Sequence, residues 1–190
     1  MKVTPMTAVL VIVSVLVAGL LGQFRDTATA DFEKKATLGE PLNLDNGQLI
    51  TVLSLSYGQY AVDGVRKSTI TPERFVAVHL RFATPREREN AGVRCFLRTS
   101  GGGTIERAED DNLRFPDPGF VSTGTVIFEV TRTTLTGASL SCVPTSVIVF
   151  REPELTMPLG VTAATIDQVW DESALARVDW PESTLEVYKP

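Results

Sequence analysis

The sequence predicts an all-β fold, an antiparallel two-layer β-sandwich set behind one apolar N-terminal helix. Two observations carry the sandwich. Roughly six to eight short stretches of apolar alternation run along the chain, and Gly, Pro and Asn-Gly turn signals separate them. A third excludes a parallel α/β fold, because the gaps are too short and too polar to hold crossover helices.

The leader comes first. Thr7–Phe24, TAVLVIVSVLVAGLLGQF, is an uncharged run of 18 residues. A spanning helix needs about 20 apolar residues, and about 17 is the lower limit. Ser14 is tolerable there because its hydroxyl bonds a carbonyl of the preceding turn. Read as a transmembrane helix over 7–24, the run leaves 1–6 as a cytoplasmic stub and 25–37 as a stalk. The protein is then a single-pass protein of the cell membrane, with the membrane as its first partner. The alternative is a cleaved secretory signal, with Lys2 in the basic region, Ala8–Leu21 as the apolar region and Ala28-Thr29-Ala30 as the cleavage site. Arg25 and Asp26 stand between the run and that site, which favours an uncleaved anchor. Either way the chain beyond Ala30 is exported.

The body is assigned to 38–150. Pro41 confines Leu38–Leu44 to an edge strand. Asn46-Gly47 marks a hairpin turn, since both residues tolerate positive φ. Leu49–Tyr57 alternates with period two and reads as a half-buried strand. Tyr57–Arg74 reads as a loop, punctuated by Gly58, Asp63-Gly64 and Thr71-Pro72. Phe75–Phe82 is the clearest strand, with Val76, Val78, Leu80 and Phe82 on one face. Arg86 to Asn90 is a charged turn. Val93, Cys95 and Leu97 share the next inner face, and Gly101-Gly102-Gly103 ends that strand. Thr104–Asp111 pairs loosely, and Pro116–Gly119 turns the chain. Val126, Phe128 and Val130 face inward. Leu140 and Cys142 share a face on a further strand, and Val147–Phe150 forms the last.

Cys95 and Cys142 are the only cysteines. Each sits on the inner face of its own strand, and an exported chain with two cysteines is expected to join them. No Cys-x-x-Cys pair is present, which disfavours a catalytic redox couple.

A formal charge of −5 argues against nucleic acid as a partner. His79 is the sole histidine, and no Gly-x-Ser-x-Gly elbow accompanies it. A packed histidine is therefore favoured over a general base, and no catalytic residue and no cofactor are assigned. Glu109, Asp110 and Asp111, with Glu106 and Asp117 nearby, are the metal candidates. They lack the Asp-x-Asp-x-Asp-Gly spacing of a calcium loop, so a solvated turn is the simpler reading.

The acidic tail, 151–190, holds eight acidic residues against three basic ones and both tryptophans. Thr165–Ala176 reads as a short helix with Ile166, Val169, Trp170 and Leu175 on one face. Trp170 and Trp180 are candidates for a partner-binding strip, but the favoured reading is that they pin the tail onto the sandwich.

The order of Asn46-Gly47, Phe75–Phe82, Pro118-Gly119, Gly124-Thr125-Val126-Ile127-Phe128-Glu129-Val130 and Leu135–Leu140 resembles the immunoglobulin-like extracellular domains of bacterial exported and membrane-anchored proteins, small secreted mycobacterial antigens among them. That resemblance spans Leu38 to Phe150. It implies a fold and an extracytoplasmic address, and no site residue, because the group shares no activity. The expected function is a non-enzymatic, membrane-anchored module of the cell envelope that binds another envelope protein. The alternative is a secreted protein, or a ligand-binding, metal-binding or hydrolytic domain using His79 and loop carboxylates.

Overall fold

The computed structural model describes residues 33–44, 47–63, 68–85, 92–108, 113–145, 153–181 and 183–189. The chain divides into two compact units, Met1–Glu33 and Lys34–Pro190. Of the first only Glu33 is described. In order, the elements are β1 (Glu33–Lys35), β2 (Leu42–Asn43), β3 (Leu49–Asp63), β4 (Ser68–Thr84), β5 (Gly92–Arg98), β6 (Thr104–Glu106), β7 (Phe120–Val130), α1 (Arg132–Leu135), β8 (Ser139–Thr145), β9 (Glu154–Pro158), α2 (Ile166–Glu172), β10 (Arg177–Trp180) and β11 (Thr184–Val187).

They form two open sheets. One has five strands in the order β1-β9-β8-β5-β6; the other has six, β10-β3-β4-β7-β11, with β2 also on β3. Period-two alternation explains why they share one core. Val76, Val78, Leu80 and Phe82 of β4 and Val126, Phe128 and Val130 of β7 meet Val93, Cys95 and Leu97 of β5, Leu140 and Cys142 of β8, and Leu155 and Met157 of β9. Cys95 and Cys142 are directly opposed across β5 and β8 and joined by a disulfide, with Cα atoms 4.1 Å apart. The bridge thus staples neighbours within one sheet.

Several expectations need correction. No helix among the described residues is long and apolar enough to cross a membrane. The longest, α2, has seven residues, about 10 Å of rise against the about 30 Å of a bilayer core. Thr7–Phe24 and the cleavage site at Ala28-Thr29-Ala30 lie outside the described residues. The N-terminal transmembrane or signal helix, the single-pass cell-membrane address and the membrane as partner therefore lack structural support. The sandwich is also not purely antiparallel, because β10 runs parallel to the far half of β3, with Arg177 opposite Tyr60 and Trp180 opposite Asp63.

The body does not end at residue 150. Residues 153–189 supply β9 to one sheet and β10 and β11 to the edges of the other. The stretch read as a loop after Tyr57 is instead a long β3–β4 hairpin with a register shift between Gly58 and Tyr60. Pro72 falls inside that bulge, where a missing N–H breaks no ladder bond. Leu135 closes the turn α1, so the strand after it starts at Ser139. The hairpin at Gly47 joins β2 and β3, and Gly47 has φ +81°. Asn46, Arg86 to Asn90 and Val147–Phe150 lie outside the described residues.

A second, smaller core lies on the other face of the six-stranded sheet. Phe75, Ala77 and Ile127 alternate away from the main core and are covered by Ala61 and by Val178 and Trp180 of β10. Gly58 makes this possible. The Ala176 carbonyl accepts from the backbone N–H groups of Gln59 and Tyr60 at 3.0 and 3.2 Å. A Cβ on Gly58 would lie 2.4 Å from that oxygen. Only glycine lets β10 approach this closely.

Candidate functional site

One concavity of about 800 Å³ lies where β7 and β11 meet the segment 113–117. The segment 113–117 forms its far wall. Leu113 and Phe115 alternate inward and are buried, while Arg114 points out. The segment is tied to β5 by the bond from Val93 N–H to Leu113 O, 2.8 Å. It is tied to β7 by the Ser122 hydroxyl, which donates to Arg114 O at 3.3 Å. Phe115 meets Phe82 edge-to-face, with ring centroids 5.4 Å apart.

Gly124 leaves room for this wall, since a Cβ there would lie 2.6 Å from Leu113 Cδ2. The resulting groove has a rim that includes Arg114, Asp117, Ser183, Thr184 and Leu185, and Phe82, Leu113 and Phe115 lie buried beneath it. A shallower hollow of about 450 Å³ adjoins it, shares Gly92 and Leu113, and carries Arg94, Glu106 and Arg107. Arg94 there pairs with Glu106 at 2.6 Å. A rim rich in hydroxyls, with Leu185 exposed beside them, suits an extended ligand with several hydrogen-bonding atoms.

The residues singled out in the sequence fall elsewhere. His79 is half-buried on the opposite face of the sheet, and its Nδ1 shares a 2.8 Å hydrogen bond with the Thr125 hydroxyl. Glu109, Asp110 and Asp111 lie outside the described residues. Among those described, no three Asp, Glu, His or Cys side chains gather to hold a metal ion. Trp170 is half-buried against the main core and Trp180 against the second one. Tyr57, partly buried, donates to Leu159 O at 3.2 Å, and desolvation pushes its phenol up from the ordinary value of 10.0.

Sequence reading missed the groove because its lining comes from five separated stretches. The local signal was the Leu113-Arg114-Phe115 alternation, too short to stand out beside a Pro-Gly turn.

No family model and no curated protein matches the chain. Among solved structures it is similar to the yjhA protein from Bacillus subtilis, at 11% sequence identity over 65% of this chain and 98% of that one, with a TM-score of 0.47. The chain is a multi-stranded, mixed β-sheet domain with that remote likeness.

Proposed function

We propose that this is an exported, non-catalytic binding domain whose ligand lies in the groove between β7–β11 and residues 113–117. The observation that carries the reading is the groove itself, with its hydroxyl-bearing rim and exposed Leu185. Export is supported by the Cys95–Cys142 bridge, since such bonds persist in oxidising compartments. A secreted protein accords with this. Binding is favoured over chemistry because His79, the sole histidine, faces away from the groove and is engaged by Thr125. Kinship with the immunoglobulin-like extracellular group is part of the proposal. Two face-to-face sheets with one shared core support it. The bridge within one sheet and the parallel β10–β3 pair depart from it.

A photo-crosslinking residue tests the site in the native cells. Placed at Arg114 or Ser122, it is expected to give a discrete adduct, and placed at Glu172 on α2 it is expected to give none. Loss of the adduct at both groove positions, in protein that still melts cooperatively, refutes the site.

A further inference from the structure

The strand orders of the two sheets end in β1, β6, β10 and β11. Three of these ends carry charge. β1 reads Glu33-Lys34-Lys35, Glu106 of β6 pairs with Arg94, and Arg177 pairs with Asp179 within β10. Charged edges discourage the addition of a further strand. β11 carries a charge too, Glu186, but its two apolar residues stand open to solvent. All four of its residues are exposed, Leu185 to 66% and Val187 to 65%. Val187 lies opposite Phe120, itself 36% exposed, so the apolar surface continues onto β7.

The backbone of β11 has a definite polarity. Tyr188 N–H donates to Gly119 O at 2.8 Å, on the β7 side. In an antiparallel ladder alternate residues turn their N–H and C=O the same way. The even-numbered residues of β11 therefore bond β7, and the groups of Leu185 and Val187 point outward.

We propose that β11 pairs antiparallel with β11 of a second copy of this chain. A twofold pair that uses the outward groups has two short registers. One is centred on Glu186 and sets that carboxylate directly against its copy, which is destabilising. The other is centred on Leu185. It sets Leu185 against Leu185, and Glu186 against the Thr184 hydroxyl on both sides of the axis. The strand Thr184-Leu185-Glu186-Val187 is thus self-complementary in the second register, as a twofold contact requires. The interface shares Thr184 and Leu185 with the rim of the groove.

Variants that add one cysteine to the full chain, with the Cys95–Cys142 bridge kept, read out the register. At a directly opposed, hydrogen-bonded pair the Cα atoms lie about 5.5 Å apart, within disulfide range. In the Leu185-centred register two copies of residue 186 lie about 8 Å apart, too far to bridge. Under mild oxidation, Leu185→Cys is expected to give a crosslinked dimer and Glu186→Cys about tenfold less. The unmodified chain is expected to sediment at twice its mass of 20.6 kDa, and Leu185→Lys, with an unchanged melting curve, at that mass. Preferential crosslinking through Glu186→Cys overturns the register. A wild-type monomer, or a dimer that survives Leu185→Lys, overturns the interface.

Discussion

The guanidinium of Arg74 lies 4.5 Å above the ring of Trp170, and its Nη2 donates to the carbonyl oxygen of the same residue at 2.8 Å. Arg74 is buried, and it also donates to Ser173 Oγ at 2.8 Å and to Glu73 O at 2.8 Å. α2 has no basic residue in its last turn, so Arg74 supplies from β4 the cation that a helix C-terminus favours.

Replacing Arg74 by Met removes the charge-assisted bonds to Trp170 O and Ser173 Oγ, and leaves the Ser173 hydroxyl donating to Trp170 O at 3.1 Å. The expected cost is about 2 kcal/mol, seen as a lower urea midpoint. Arg74→Lys should recover only part of it, because an ammonium lacks the planar fork that reaches both acceptors. Trp170 emission should shift to the red in both variants.

Gly58→Ala forces a methyl into the Ala176 carbonyl, which is backbone and has little freedom to yield. A loss of about 2 kcal/mol is expected. It should be local, so hydrogen exchange ought to quicken at Arg177–Trp180 and stay slow across β5 and β8.

Ending the chain at Thr145 removes Leu155, Met157, Leu159, Val161, Ile166 and Val178, all of them buried. At about 1.5–3 kcal/mol each their loss rivals the whole stability of a domain. The truncated protein should show no cooperative melt. A sharp transition in that variant would mean that the C-terminal strands are ornaments on a self-sufficient body.

Burial raises the Tyr57 pKa, so the folded state holds the phenolic proton more tightly than the unfolded state does. Its contribution to stability is whole below the unfolded value of about 10 and is lost as the pH climbs through the raised folded value. Tyr57→Phe should cost about 1 kcal/mol at neutral pH through the bond to Leu159 O. It should also flatten the alkaline fall in urea midpoint.

What the sequence displayed was set by burial. Strands with one face in the main core carry their period in the letters, as at Val76-Val78-Leu80-Phe82 and Val93-Cys95-Leu97. β10 and β11 are only four residues each, too short for a period to stand out, and Thr184–Val187 is exposed along its length. Their places come from partners more than sixty residues earlier, Ser122 for Leu185 and Ala61 for Val178. Gly58 and Pro72 read as breakers because their letters do not distinguish a loop from a bulge. The groove was invisible for a related reason: Phe82, Phe115 and Leu185 meet only after both sheets have closed.

A β body stapled by Cys95–Cys142 belongs, on the proposed export, to an oxidising space. The direct measurement is to denature intact cells in a maleimide mass tag without reductant, and to repeat this after reduction. We expect no tag on Cys95 or Cys142 in the first sample and one on each in the second. Both cysteines tagged without reductant would contradict the account.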